Sequence, residues 1–390
     1  MRILNICGYS WEIGGPARII YDHATVQRRL GAEVSILTPL SPGERVYPVP
    51  EGVRLITVPR HPLARIFPEF SPQLSEFLRR HDDEFDIIHL HGMFHFGSVF
   101  PLTLRTRARR VVTVHGTLEP WALRKGRWKK EFFSSLGQRR LLRRADLVHV
   151  NSAEEAEDVR RYLRDRDVPP LLVLGNGMRL SDYERVPPTG TFRQKYGIAP
   201  ADSVILFLSR LNVKKGLDLL LPAALPLLRQ RPNLRLVVAG PDDGYRFFVE
   251  NFVRENGLEK QVLLPGMLTG DEKLAAFRDA DAFVLPSYSE GFSIAALEAL
   301  TLGVPALLSD RVGFGDQLSQ TGAALLCELN VESVRAGLER LLDEPSLAAD
   351  LRERGTRFVR EFADIDVVAT RLYRAFEALL PGAESVETFP

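Results

Sequence analysis

Two cysteines in 390 residues leave no disulfide framework and no cysteine-based zinc centre, and both, Cys7 and Cys327, fall in apolar runs (ILNIC and AALLC) that read as buried strands. That usage suits a reducing cytoplasm. No stretch approaches the roughly 20 apolar residues of a membrane span, and MRILNICGYS reaches a glycine turn too soon for a signal-peptide core. Any membrane contact is therefore expected to be peripheral. The chain also lacks G-x-G-x-x-G after its first strands, G-x-x-x-x-G-K-[ST] and H-E-x-x-H, which argues against nicotinamide oxidoreductases, P-loop enzymes and zincins. Net charge is nearly absent, at +1.

What charge there is lies segregated: between Arg105 and Arg144, thirteen Arg or Lys residues face only Glu119 and Glu131. Such a block serves as a footprint for phosphates, nucleic acid or anionic lipid, or is simply a solvated basic helix face. In Trp121–Arg144 the aromatics Trp121, Trp128, Phe132 and Phe133 interleave with Arg124, Lys125, Arg127, Lys129 and Lys130. This composition predicts an amphipathic basic helix. It fits either a membrane-interface element or a helix packed on a sheet, and nucleic acid is a weaker match.

Length suggests two domains. Apolar β-rich runs alternate with amphipathic segments, first at 2–7, 33–38, 54–57, 87–90, 111–114, 147–150 and 171–174, then at 204–208, 234–239, 262–264, 282–285, 306–308 and 323–326. Alternating strand and helix gives parallel sheets covered on both faces. The fold class is α/β, two Rossmann-like domains facing across a cleft, 1–180 and 181–365, joined by a polar linker around 178–200. A C-terminal helix, about 366–390, is expected to cross back to the first domain. Ligands bind such sheets at the strand C-terminal ends.

The segment PSYSEGFSIAALEALTLGVPAL follows the buried strand DAFVL and predicts a helix opening at Gly291, whose first N–H groups in Gly291, Phe292 and Ser293 would form an anion site. Glu290 and Glu298 stand eight residues apart, roughly 12 Å along a helix axis. Read alone, they are better explained as a helix-dipole acid and an exposed surface residue, and it is the surrounding sequence that reverses this. Ser209–Gly216, SRLNVKKG, follows a second strand and offers Arg210 and Lys215 as fixed cations.

Together these segments resemble glycosyltransferase family 4, whose signatures E-x7-E and G-R-L-x-x-x-K-G match Glu290 to Glu298 and Ser209 to Gly216, with serine replacing glycine at 209 and 293. The resemblance implies the GT-B fold, retention of anomeric configuration, an acceptor side in the first domain and nucleotide-sugar binding in the second. It places Arg210 and Lys215 on the donor diphosphate, with Glu290, Gly291, Phe292, Ser293 and Glu298 around the rest of the donor. Gly14 and Gly15 in WEIGGPARII would approach the donor, and His115, after the strand VVTV, would stand beside the reacting sugar. His115 is also the kind of strand-end histidine that only satisfies local hydrogen bonds. His91 and Trp121 are acceptor-side candidates. Gly313–Asp316 departs from the family's G-G-x-x-E.

The D-x-D triplets at Asp165/Asp167, Asp279/Asp281 and Asp364/Asp366 read as a charged turn, a helix end and a cap, so no metal and no cofactor are expected. The expected activity is transfer of a hexosyl unit from a UDP- or GDP-sugar to a hydroxyl acceptor, a glycan or lipid-linked glycan of surface polysaccharide synthesis. It would take place in the cytoplasm, with attachment to the inner face of the cell membrane through the basic segment. The alternatives are a sugar-nucleotide 2-epimerase of the same fold and a non-catalytic sugar-nucleotide-binding subunit.

Overall fold

The computed structural model of the chain describes residues 1–7, 15–44, 46–124 and 127–382. They form two compact units, Met1–Gly177 with Ile365–Pro390, and Met178–Asp364.

The first unit holds β1 (Arg2–Cys7), β2 (Glu33–Leu40), β3 (Arg54–Pro59), β4 (Ile87–His91), β5 (Arg109–Thr113), β6 (Leu147–Val150) and β7 (Leu171–Val173) in the order β3-β2-β1-β4-β5-β6-β7. Every pairing is parallel. Both sheet faces are covered, as the uninterrupted apolar runs require. Ile3 and Cys7 face a core closed by Ile20, Leu372 and Phe376, while Leu4 and Ile6 face one with Leu90, Val112 and Leu142. The last helix, Ile365–Ala378, belongs here because its buried stripe of Val368, Leu372 and Phe376 completes the first of those cores. It also packs beside the helix Gly15–Arg29, with Ile365 and Ala369 against Val26 and an Arg29–Asp366 ion pair at the rim.

The second unit repeats the plan with β8 (Ser203–Leu208), β9 (Leu234–Ala239), β10 (Val262–Gly266), β11 (Ala282–Leu285), β12 (Ala306–Ser309) and β13 (Leu325–Cys327), ordered β10-β9-β8-β11-β12-β13 and again all parallel. The stretch 178–200 is not a loose linker. It carries the helix Thr191–Tyr196, seats Phe192 in the core, and is fastened by Asp279, whose carboxylate accepts from the N–H groups of Gly190, Phe192 and Arg193 at 2.6–3.0 Å. A three-point bond from another helix end outweighs the turn-rich composition.

The basic segment also differs from expectation. It is broken into helices Pro120–Arg124, Arg127–Phe133 and Arg139–Leu142, with a π turn at Ser134–Gln138 in which Gly137 takes φ 96°. Phe133 and Leu142 are buried, whereas Trp128 and Phe132 are 68% and 44% exposed. No helix among the described residues is long and apolar enough to cross a membrane.

Candidate functional site

In each sheet the strand order reverses between the first and fourth strands, and several of the residues singled out from sequence, His91, Arg210, Lys215 and Glu290 among them, lie at or just past those C-terminal ends. In the second unit the chain leaves β8 through Ser209, and Arg210 extends into solvent with its Nη1 2.8 Å from Asp243 Oδ2. Asn212 Oδ1 then accepts from Lys214 N, capping a short 3-10 turn that turns Lys215 inward. Gly216 closes the turn at φ 71°, and a Cβ there would stand 1.9 Å from the Pro286 carbonyl oxygen at the end of β11. Only glycine lets these two strand ends approach so closely.

That approach brings Lys215 Nζ into contact with Glu290 Oε2, both side chains being nearly buried at 10% and 14% exposure. The two sequence signatures therefore meet in one ion pair. Glu290 is held by its backbone as well, donating from N to Arg311 O and accepting from Gly313 N at 2.7 Å. Gly313, in the segment that departs from the family pattern, thus fixes Glu290 from behind.

This anchoring also corrects the expected helix start. The helix begins at Ile294, not Gly291: Glu290 is bridged to Val312, and Ser293 is the N-cap, its Oγ accepting from Ala296 N. Gly291 and Phe292 precede the helix, with Phe292 edge-on to Phe314. A helical rise over all eight residues from Glu290 therefore does not apply. Glu298, on the helix Ile294–Thr301, is neither a surface residue nor open: its side chain is 3% exposed, and Oε1 accepts from Tyr183 Oη at 2.8 Å and Lys273 Nζ at 2.5 Å. A cavity of about 320 Å³ in the same unit, lined by Leu180, Tyr183, Glu184, Thr301 and Arg360, contains neither Lys215 nor Glu290.

The first unit carries a different chemistry. His115 lies two residues past β5 in a left-handed conformation, φ 50°, followed by Gly116 at φ 70°. A non-glycine residue there costs roughly 1–2 kcal/mol, so something must hold it. Glu155 does: its buried carboxylate accepts from Gly116 N through Oε1 and from Asn151 N through Oε2. Sequence reasoning passed over Glu155, although Ser152-Ala-Glu-Glu155 is a capping-box pattern and Ser152 does cap that helix.

His115 Nε2 is 3.1 Å from His91 Nδ1, and His91 Nε2 is 3.1 Å from Asn5 Oδ1 on β1. His89, also on β4, bonds Thr113, which bonds His149. Burial lowers all these rings: His115 to about 3, His149 to about 4, and His89 and His91 well below the ordinary imidazole value. They are neutral at pH 7 and serve as hydrogen-bonding groups. Gly14 lies outside the described residues. Gly15 opens the helix Gly15–Arg29, and Trp121 lies in Pro120–Arg124 with its side chain outside what is described. No group of three or more His, Cys, Asp or Glu among the described residues is arranged to hold a metal.

Comparison with known proteins decides the family. The model for glycosyl transferases group 1 matches residues 189–358, and that for a glycosyl transferase 4-like domain matches residues 14–177. The chain belongs to the group 1 glycosyltransferases. It is 27% identical over 387 residues to a D-inositol 3-phosphate glycosyltransferase of Corynebacterium aurimucosum, covering 91% of this chain and 89% of that one. It is 25% identical over 418 residues to a phosphatidyl-myo-inositol mannosyltransferase of Mycobacterium leprae, covering 99% of each. Among solved structures, Anabaena HepE in complex with UDP superimposes with a TM-score of 0.72 at 17% identity, over 97% of this chain and 100% of that one. The chain is thus a glycosyltransferase of GT-B fold.

Proposed function

We propose that this glycosyltransferase moves a hexosyl unit from a UDP- or GDP-sugar to a hydroxyl acceptor with retention and without a metal ion. The observation that carries the reading is the Lys215–Glu290 pair with Arg210 at the ends of β8 and β11. An ammonium has three N–H donors, so Lys215 can keep Glu290 and still meet a diphosphate oxygen, and Arg210 adds a second fixed cation. Charge growing on the departing nucleoside diphosphate is stabilised by these groups and by the N–H groups near Ser293. Glu290 then accepts from a sugar hydroxyl, Glu298 from the ribose, and His115 faces the transferred sugar. Retention is read, as the family resemblance implies, as front-face attack, the leaving phosphate taking the acceptor proton.

A uridine donor is favoured by the UDP bound to HepE. The names of the two relatives favour a polyol hydroxyl, one of them lipid-linked, as acceptor. A membrane-facing surface is supported by Trp128 and Phe132, joined by exposed Leu63 and Ile66 and by Phe67, whose ring lies 5.9 Å from that of Phe132. Apolar side chains from two segments beside a basic stretch suit an anionic lipid interface.

Two measurements test the proposal. Turnover of UDP- and GDP-sugars, with the product anomer read by NMR, should show retention and persist in excess EDTA. An inverted product, or activity lost in EDTA and restored by magnesium or manganese, would refute the mechanism. Co-sedimentation with liposomes should rise with anionic lipid and fall with salt, and the trend should weaken in Trp128→Ser/Phe132→Ser; no lipid dependence would remove the membrane face.

A further inference from the structure

Two hydrogen-bond chains run through the histidines of β4, β6 and the turn after β5; a backbone carbonyl fixes the direction of the first, and the orientation of one side-chain amide sets that of the second. The first is fixed by a carbonyl. His149 Nε2 lies 2.7 Å from Leu174 O, which can only accept, so Nε2 carries the proton and Nδ1 is a lone pair. Thr113 Oγ1, 2.9 Å from that Nδ1, must donate to it. Its oxygen then accepts from His89 Nε2 at 2.7 Å, leaving His89 Nδ1 deprotonated, and that atom has no partner. Burial keeps both rings neutral, so each has one proton to assign. A backbone carbonyl cannot rotate, and this chain has one solution.

The second chain ends on a side chain. Asn5 Oδ1 accepts from His91 Nε2, so His91 Nδ1 is a lone pair, and His115 Nε2 donates to it. His115 Nδ1, at the partly exposed end, is then an acceptor. Every proton in this chain follows from the orientation of one amide. Turning the Asn5 amide over would reverse all of them and make His115 Nδ1 a donor. Asn5 Nδ2 has no partner to hold the amide from its other side.

We propose that Asn5 is a positioning residue that sets, through His91, which nitrogen of His115 carries its proton, so that His115 offers the transferred sugar an acceptor rather than a donor. The functional half of this statement rests on the reading that His115 faces the sugar; the tautomer itself does not. The two chains divide the work. His89, Thr113 and His149 form a fixed wall, and Asn5, His91 and His115 form the chain whose polarity a side chain dictates.

Long-range 1H–15N correlation spectra of the full-length protein labelled at histidine nitrogens read the tautomers directly. In the wild type, His91 and His115 should both carry the proton on Nε2, as should His89 and His149. Asn5→Leu removes the acceptor while keeping the branched shape, with two somewhat larger methyl groups in place of the amide, and it also removes the orphaned Nδ2. With no oxygen to receive it, a proton on His91 Nε2 would be stranded, and both His91 and His115 should move to the Nδ1–H form while His89 and His149 stay unchanged. Transfer should fall about tenfold in kcat with donor KM little changed, the size of one misdirected hydrogen bond. A wild-type His115 protonated on Nδ1, or a His115 unchanged in Asn5→Leu, overturns the proposal. The wild-type spectrum decides this even if the variant fails to fold. Reversed tautomers with full transfer would overturn the positioning role, whereas absence of transfer by the wild type with every sugar nucleotide would refute the proposed function and leave the spectra intact as a test of the chain.

Discussion

The two units share one strand order and differ in what they mount on it. At its switch point the first unit places neutral rings, and all eight histidines of the chain fall between His23 and His149. The second unit has no histidine and places charges, Arg210, Lys215 and Glu290, at the equivalent strand ends. Burial explains the division. A ring that loses its proton under desolvation becomes a good partner for sugar hydroxyls, whereas a diphosphate needs cations, and the second unit supplies Arg210 and Lys215, the latter in contact with Glu290. On the proposed reading, one scaffold serves a neutral ligand group on one side and an anionic one on the other.

That division is most easily broken by deleting one group from each side. Lys215→Ala should lower kcat about 10²–10³-fold, the range seen when one donor to a developing oxyanion is lost. His115→Ala should lower it by about tenfold, as expected for a neutral hydrogen bond. Steady-state transfer assays with unfolding midpoints measured alongside would check both, since Lys215→Ala also leaves Glu290 without its cation. Equal losses from the two variants would mean that charge on the leaving group is not where the barrier is lowered.

How much of this was legible follows from how far each contact reaches along the chain. The strands were readable because a parallel sheet buried on both faces demands unbroken Val, Ile and Leu runs, as in VVTV and VILFL, and Cys7 and Cys327 proved to be buried in β1 and β13. The final helix was readable from its stripe and from the break before it. The start of the helix after β11 was not, because the bond that keeps Glu290 extended comes from Arg311–Gly313, beyond the next strand. The burial of Glu298 depends on Lys273 and Tyr183, 25 and 115 residues away. The folded state of 178–200 depends on Asp279. The break at Gly137 is legible in FFSSLGQRR, where a glycine at positive φ outweighs the amphipathic periodicity around it.

Acid should separate the two units. His23, His89, His91, His95, His115 and His149 are all lowered by burial, His95 and His149 to about 4 and His115 to about 3. The unfolded chain takes up protons at these rings near pH 6.5 and the folded chain does not, so stability is complete above that pH and falls as pH drops toward 4. Glu69, raised to about 7, Asp158, raised to about 6, and Glu155 run the opposite way, because their folded carboxyls hold protons the unfolded chain has released. Six rings oppose three carboxyls, and the more numerous rings set the sign: the first unit loses stability between pH 7 and 5. All three tryptophans, Trp11, Trp121 and Trp128, lie in the first unit's part of the sequence. Urea unfolding followed by tryptophan fluorescence should therefore shift to lower urea at pH 5, and far-UV circular dichroism should retain a later transition from the histidine-free unit. Transitions that shift together, or not at all, would contradict the assignment.

The smallest expected effect distinguishes two kinds of charge within the second unit. Lys215 and Glu290 form a pair at a strand end, whereas Glu298 is held more deeply, with Oε1 taken by both Tyr183 and Lys273. If that grip exists to aim the second oxygen at a ribose hydroxyl, loosening it should be felt mainly in donor binding. Tyr183→Phe removes one hydroxyl from a buried carboxylate that keeps Lys273, so the unfolding free energy should drop by about 1–2 kcal/mol. Donor KM should rise about two- to threefold while kcat holds, since a ribose contact is made equally in the ground and transition states. Urea unfolding and steady-state kinetics on one preparation would measure both. Lost stability with an unaltered KM would reassign Glu298 to the packing of the helix Ile294–Thr301, and the proposed donor contacts of the two sequence signatures would then reduce to Arg210 and the Lys215–Glu290 pair.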